Sequence, residues 1–277
     1  MIVDLVSPWL AAVEAADSPR ARGAFRKRHA SLLDLLRRAR APLLDAMPLA
    51  TDVGVLRPLA HRAADPALQQ QLRDIVARAA DLGADRCDRV VLVAGDGSGD
   101  AAEPIPWPGG DAVLFLDQLD GEQQVPVALA RAAAALTRWS AADSQTAITH
   151  DLRHGWDRWQ SARDVSLREW VYTEGVGLHL AQALQPRVKP NDLLGVSLAA
   201  FGRLRERENV LRALLAADLN ERGVGMILRW ITPSAPASLR TVGNVVLPPM
   251  AGRYLGWRML EERVARAGLR AAIRMEA

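Results

Sequence analysis

The sequence predicts an α+β protein that is mainly α, in which several helices pack around a small sheet. Apolar residues recur at helical spacing along most of the chain, and the clearest such segment covers residues 166–184. Two segments break this pattern. RVVLVAGDGSGD at 89–100 predicts a short strand followed by a turn, and DAVLFLDQL at 111–119 predicts a second strand. Two strands among so many helices indicate a helical fold with a small sheet.

The predicted helices account for most of the remaining chain. Gly83 ends the helix before the first strand, and Ser166 is positioned to cap a helix later in the chain. The prolines of 103–110 predict an irregular loop, because they exclude both a helix and a central strand. The predicted helices cover residues 32–44, 68–82, 125–139, 166–184, 198–222 and 251–268.

Length and periodicity favour one large domain. The chain has 277 residues, which is enough to bury a sizeable core, and it contains no internal repeat and no obvious linker. We therefore expect an N-terminal helical region, 1–84, to pack together with the remaining region, 85–277, as one domain.

Charge, hydropathy and cysteine content argue against several classes of function. The formal charge of +3 is small, and no aromatic pattern that indicates base stacking accompanies the densest basic run at 20–30, so no nucleic-acid partner is expected. No apolar run approaches the ~20 residues that span a bilayer, so no membrane association is expected. The first residues carry Asp4 and no basic stretch, which predicts a cytoplasmic protein without a secretory signal. The single cysteine, Cys87, excludes an intrachain disulfide and a cysteine-based zinc site.

The segment HDLRH at 150–154 is the most conspicuous candidate for metal binding. His150 and His154 stand one helical turn apart, which lets two imidazoles point the same way and chelate Zn²⁺. A structural interpretation competes with this one, because Ile148 and Leu152 belong to an apolar stripe that leaves the histidines on a neighbouring helix face. Histidine pairs at this spacing are common on helices, so the segment alone favours the structural interpretation.

Three segments, taken in order along the chain, resemble the zincin-like metallopeptidases of the gluzincin type, which include bacterial families of zinc-dependent proteases. AVLFLDQL at 112–119 resembles the edge strand that precedes the active-site helix of that family. LREWVYTEGVGLHL at 167–180 resembles its second helix, so Glu174 corresponds to the third zinc ligand. GRYLGWRMLEE at 252–262 resembles its late helix with glycine and tyrosine. The resemblance covers residues 85–265 and implies a zincin-like helical domain with a small sheet next to the active-site-type helix.

The family carries its H-E-x-x-H motif on the helix after the edge strand, and the predicted helix 125–139 lacks that motif. In this alignment Arg131 occupies the first histidine position, Ala132 the glutamate position and Ala135 the second histidine position. A fixed positive charge at the first position would repel zinc. The resemblance therefore implies a degenerate site without a metal cofactor, in which Arg131 pairs bidentately with Glu174 where zinc would otherwise neutralise that carboxylate.

A second alignment keeps the metal. It uses His150, His154 and Glu174 as zinc ligands and Asp151 as the general base of a zinc-dependent hydrolase or peptidase. Glu174 follows His154 by 20 residues, an interval that is acceptable for the third ligand of a gluzincin. Aspartate has about 1.5 Å less reach than glutamate, and general-base catalysis needs hydrogen-bond distance, so this replacement is expected to be costly.

The resemblance also implies a cleft between the helices, with an unidentified peptide or small apolar molecule as its ligand. The candidate cleft residues are Glu174, His179, Tyr254, Trp139 and Trp170. The leading hypothesis is a catalytically degenerate relative of the peptidases, a pseudoenzyme that retains a ligand in this cleft. The alternatives are the zinc hydrolase and, in a different class, a helical scaffold for protein interactions.

Overall fold

A short strand and a series of helices form the N-terminal part of the computed structural model. Asp52 caps one helix by accepting a hydrogen bond from the backbone N–H of Gly54 at 2.7 Å, and Asp65 caps the next by accepting from Ala67 at 2.9 Å. These elements are β1 (Ile2–Asp4), α1 (Val6–Glu14), α2 (Ser18–Arg28), α3 (Ala30–Arg40), α4 (Val53–Ala64) and α5 (Pro66–Asp81). The structure describes residues 1–40, 49–95, 97, 100–106, 109–119, 121, 123–140, 162–232 and 235–275.

Helix α5 confirms the helix predicted at 68–82. It ends just before Gly83, whose φ of 107° favours glycine. The helix predicted at 32–44 is present as α3, and residues 41–44 of that prediction lie outside the described residues.

The sheet contains four strands in the order β1-β2-β4-β3. Strands β1, β2 (Arg89–Val93) and β4 (Asp111–Phe115) are parallel, and β3 (Ala102–Ile105) runs antiparallel to β4 at the edge. Both strands predicted from the sequence are therefore confirmed, within a larger sheet.

Two expectations about this sheet are wrong. Residues 103–105 of the predicted loop belong to β3. Pro104 is tolerated there although it lacks an N–H, because β3 is an edge strand. The resemblance made β4 the edge strand, whereas β4 lies between β2 and β3 and is buried along its whole length. The first strand, β1, was not predicted.

The C-terminal half is mainly helical. The helix predicted at 198–222 is in fact two helices, which meet at Arg207. The segment before the last long helix contains a small hairpin. The elements are α6 (Gln124–Trp139), α7 (Leu167–Leu184), α8 (Pro190–Leu193), α9 (Leu198–Glu206), α10 (Glu208–Asp218), α11 (Val224–Trp230), β5 (Thr241–Val242), β6 (Val245–Val246), α12 (Ala251–Ala267) and α13 (Leu269–Arg274). The predictions for α6, α7 and α12 are each correct to within one or two residues. A mainly helical α+β fold with a small sheet is therefore confirmed.

Helix α7 packs closely against both α6 and α12, and glycines make this possible. A Cβ atom on Gly177 would lie 2.9 Å from the Cα of Arg131 in α6. A Cβ on Gly175 would collide with the backbone carbonyl of Gly256 in α12, and one on Gly256 would collide with the carbonyl oxygen of Val171. The glycines of the TEGVG and GRYLG segments therefore let three helix backbones approach, which brings their polar side chains together.

Among the described residues, no helix is long and apolar enough to cross a membrane.

Candidate functional site: a buried arginine–carboxylate cluster

Four charged side chains from four parts of the chain meet where α6, α7 and α12 converge. Arg131 comes from α6, Glu174 from α7, Arg253 from α12 and Asp100 from the loop that precedes β3. We call this set the charge cluster. Its side chains are largely buried, with 4% to 14% of their surface exposed.

The expected pairing of Arg131 with Glu174 is confirmed. Nε of Arg131 donates to Oε2 of Glu174 at 2.9 Å, and Nη2 donates to Oε1 at 3.1 Å. This is the two-pronged contact that the planar guanidinium makes with a carboxylate. Glu174 is therefore neutralised by an arginine on the neighbouring helix, which is the pairing that the resemblance implied.

Asp100 is the second carboxylate of the charge cluster, and it was not among the site residues predicted from the sequence. It accepts hydrogen bonds from Nη1 and Nη2 of Arg131 at 3.2 and 3.0 Å. Asp117 helps to hold the glycine-rich loop that carries Asp100, because its carboxylate accepts hydrogen bonds from the backbone N–H groups of Gly95 and Gly97. The turn that the sequence predicted at the end of 89–100 thus places the buried carboxylate of Asp100 next to Arg131 and Arg253.

Arg253 completes the charge cluster from the opposite side. Its Nη2 donates to Oδ2 of Asp100, its Nη1 lies 3.4 Å from Oδ1 of the same residue, and its Nε lies 3.4 Å from Oε2 of Glu174. Arg253 was also missed at the sequence level. The sequence feature that could have indicated it is the position of Arg253 within GRYLG, where the neighbouring residues are buried. A buried arginine needs a partner.

Two arginines balance two carboxylates, and this balance sets the protonation states. Burial by itself raises the pKa of Asp100, but the charges of Arg131 and Arg253 outweigh burial and hold that pKa well below its ordinary value. Burial also raises the pKa of Glu174, and the charges of Arg131 and Arg253 outweigh burial and lower that pKa. Burial alone would lower the pKa of Arg131, and the two carboxylates raise it instead. Asp100, Glu174 and Arg131 are therefore charged at neutral pH.

The donors of the two arginines are used unequally. Each guanidinium has five N–H donors. Arg131 makes four hydrogen bonds to the two carboxylates, whereas Arg253 makes two, both to Asp100. Among the described residues, the buried Nε of Arg253 has no hydrogen-bond partner. The charge cluster thus has unused donors on its α12 side.

The positions that correspond to the degenerate motif face one narrow space beside the charge cluster. Arg131, Ala132 and Ala135 of α6 line it together with Glu174 of α7 and with Ala102 of the edge strand. Its volume is about 20 Å³, which is room for a single water molecule. Two further candidate residues, Trp139 and Trp170, also line this space, and their indole rings lie 5.4 Å apart.

These residues do not form a zinc site. The two methyl groups of Ala132 and Ala135 supply no ligand, and the guanidinium of Arg131 carries a charge that repels a cation. Both carboxylates of the charge cluster are hydrogen-bonded to arginines. Among the residues that the structure describes, no group of three histidines, cysteines, aspartates or glutamates is arranged to hold a metal ion. His150, Asp151 and His154 lie outside the described residues.

The other two candidate cleft residues make structural contacts. His179 is buried, its Nε2 lies 2.9 Å from the carbonyl oxygen of Trp257, and burial lowers its pKa. The hydroxyl of Tyr254 donates to Glu208, and burial followed by this carboxylate raises the pKa of Tyr254 to about 12. Both side chains join α12 to a neighbouring helix.

A larger cavity opens on the other side of the charge cluster. Its volume is about 270 Å³, and Asp100, Arg131 and Arg253 form its charged wall. The rest of its lining is largely aliphatic, and polar side chains are present at Gln118, Gln124 and Asp192. The aliphatic lining consists mainly of Leu119, Val127, Ala128, Leu193, Leu194 and Met250.

Comparison of the chain with protein-family models, with curated proteins and with solved structures gave no match. The cavity and the charge cluster are therefore the features that bear on function.

Proposed function

We propose that this chain is a catalytically degenerate relative of the zincin-like metallopeptidases, a pseudoenzyme that binds a peptide or a small apolar ligand in the former active-site cleft. The observation that carries the proposal is the common space onto which Arg131, Ala132, Ala135 and Glu174 face, next to the edge strand β3.

The spacing supports this ancestry. Positions 131 and 135 lie one helical turn apart on α6, and Glu174 reaches the same space from a second helix. This is the arrangement in which two histidines and a glutamate converge on zinc in the family that the sequence resembles. An arginine at the first histidine position supplies the positive charge that the metal would otherwise provide, which explains why Glu174 is retained as a buried acid.

The same residues argue against peptidase chemistry at this place. Ala132 stands where the family has its glutamate base, and a methyl group cannot accept a proton from water. Without a metal and without a base, the cleft lacks both the activated water and the group that removes its proton. Binding is the role that the neighbouring cavity of about 270 Å³, on the other side of the charge cluster, can serve.

The zinc hydrolase built on His150, Asp151 and His154 stays a prediction, and the structure gives one argument against its third ligand. Glu174 already accepts two hydrogen bonds from Arg131 at 2.9 and 3.1 Å, which a metal would have to displace. A helical scaffold is the remaining alternative, and it gives no reason for a buried charge cluster beside a cavity.

The metal content of the untagged protein tests the proposal. The wild-type chain and the His154→Ala variant are incubated with zinc, dialysed and analysed for bound metal, with His61→Ala as the matched control on an exposed helix face. We expect no stoichiometric zinc in any of the three. About one zinc per chain, lost in His154→Ala and kept in His61→Ala, would overturn the proposal in favour of the hydrolase.

A further inference from the structure

The cavity of about 270 Å³ contains two charged groups whose bonding capacity is not filled, and they have opposite signs. Arg253 is 4% exposed and donates two hydrogen bonds to Asp100. Its Nε lies 3.4 Å from Oε2 of Glu174 and makes no hydrogen bond among the described residues, so the donors left for a ligand are the remaining N–H groups of the two Nη atoms. A buried donor without a partner costs free energy, so a ligand that brings an acceptor oxygen to Arg253 is favoured.

Asp192 provides the group of opposite sign. Its Oδ1 accepts a hydrogen bond from the side-chain amide of the adjacent Asn191 at 2.7 Å, and within the part of the chain that the structure describes it forms no ion pair. Asp192 therefore differs from Asp100, which two arginines neutralise. A ligand ammonium group would give Asp192 the counter-charge that it lacks.

The backbone next to Arg253 is also unusual. Met250, which lines the cavity and precedes α12, has a φ of 67° and is the only non-glycine residue with positive φ in the described part of the chain. Such a conformation costs free energy and is concentrated at ligand sites. It starts α12 at the cavity wall, so the partial positive charge of the helix terminus adds to that of Arg253.

We propose that this cavity binds a free amino acid with a branched aliphatic side chain. The α-carboxylate joins Asp100 on the guanidinium of Arg253, the α-ammonium group pairs with Asp192, and the side chain packs against the aliphatic wall. A volume of about 270 Å³ holds on the order of nine non-hydrogen atoms, which is the size of leucine. The inference rests on the proposed function, since it names the ligand class of the cavity to which that function assigns binding.

Isothermal titration calorimetry with L-leucine tests this directly. Two matched probes each lack one charged end: 4-methylpentanoate has no ammonium group, and 3-methylbutylamine has no carboxylate. We expect saturable binding of leucine and at least about tenfold weaker binding of each single-ended probe. Absence of saturable leucine binding, or equal affinity for all three compounds, would overturn the proposal.

A variant at the half-buried Asp192 separates recognition from folding, because replacing Arg253 would also disturb the charge cluster. In Asp192→Asn the affinity for leucine should fall about tenfold while the affinity for 4-methylpentanoate stays the same. Glu206→Gln, an exposed acid on α9 outside the cavity, serves as the control and should bind leucine normally. Unchanged leucine affinity in Asp192→Asn would contradict the assignment. The metal measurement varies His154 and not Asp192, so either proposal can fail while the other stands.

Discussion

Arg131 on α6 holds Glu174 on α7 through two hydrogen bonds of 2.9 and 3.1 Å, although the two residues are 43 positions apart in the chain. Arg131 also holds Asp100, at 3.0 and 3.2 Å. One guanidinium thus ties two helices and a loop together. A buried charge pair contributes little beyond an apolar contact, but the loss of one partner leaves the other charge buried without compensation.

Arg131→Ala should therefore destabilise the protein strongly. It leaves two buried carboxylates with Arg253 as their remaining neighbouring cation, and we expect a loss of about 3 kcal/mol in the free energy of unfolding. Urea denaturation measures this loss. Arg203→Ala, on the exposed face of α9, is the control and should change stability by less than about 0.5 kcal/mol. A loss below about 1 kcal/mol for Arg131→Ala would show that the charge cluster is not energetically coupled.

The lowered pKa values of Asp100 and Glu174 predict loss of stability in acid. Both groups hold their protons less tightly in the folded state than in the unfolded chain, where they titrate near about pH 4. Their stabilising contribution is complete above that pH and is lost as the pH falls through it towards their folded-state pKa values.

The Glu174→Gln variant isolates the contribution of one of these acids. It should be less stable than wild type at neutral pH, and the stability difference between the two proteins should shrink as the pH falls from about 5 to about 3. Denaturation curves at several pH values measure the difference. If it stays constant over this range, Glu174 does not have a lowered pKa in the folded protein.

The contact between α7 and α12 depends on the absence of a side chain at Gly175. An added Cβ would collide with the backbone of Gly256, so Gly175→Ala should destabilise by about 1–3 kcal/mol. Gly202→Ala in α9 is the matched control, since its Cβ meets no atom within 4 Å. There the substitution should stabilise by about 0.5 kcal/mol, because alanine favours a helix. Equal effects at the two sites would argue against the close helix contact.

Arg138 connects α6 to the end of the chain. It is 3% exposed, and its Nη1 donates to the carbonyl oxygens of Ile273 and Met275 at 3.2 and 2.7 Å. Its Nε donates to Glu169 and Thr173 on α7. Arg138→Met keeps the apolar length of the side chain but removes the hydrogen bonds that Arg138 donates to Ile273 and Met275, so it should release α13.

Hydrogen exchange of the amides at 269–275 measures this release. In Arg138→Met their protection should fall more than that of α6. Arg274→Ala is the control, because this exposed arginine forms only a surface ion pair with Asp85 at 2.7 Å and should change stability by less than about 1 kcal/mol. Unchanged protection at 269–275 in Arg138→Met would show that other contacts hold α13.

Helices with a continuous buried face were predictable from the sequence. Helix α6 is rich in buried alanine and leucine, and α7 begins directly after Ser166. The shortest strand of the sheet was not predictable, because β1 has three residues and too little pattern to identify it, and it is stabilised by its pairing with β2. Strand β3 was missed because it contains Pro104. A proline argues against a strand unless the strand is known to lie at the edge of a sheet.

The charge cluster was predictable only in part. The resemblance to a zinc family made Arg131 and Glu174 partners, because it aligned both with ligands of one metal. No such alignment exists for Asp100 and Arg253, which are 153 residues apart and come from the loop before β3 and from α12. Long-range ion pairs of this kind leave no periodic signal in a sequence.

The measurement that tests the central claim most directly restores the lost motif. The triple variant Arg131→His, Ala132→Glu, Ala135→His places two imidazoles one turn apart opposite Glu174, and bound zinc is then quantified after dialysis. If α6 and α7 retain the geometry of a zincin, the variant should bind about one zinc per chain, and adding Glu174→Ala should abolish binding. A triple variant that unfolds cooperatively yet binds no more zinc than wild type would contradict the proposed descent of this cleft from a metal site.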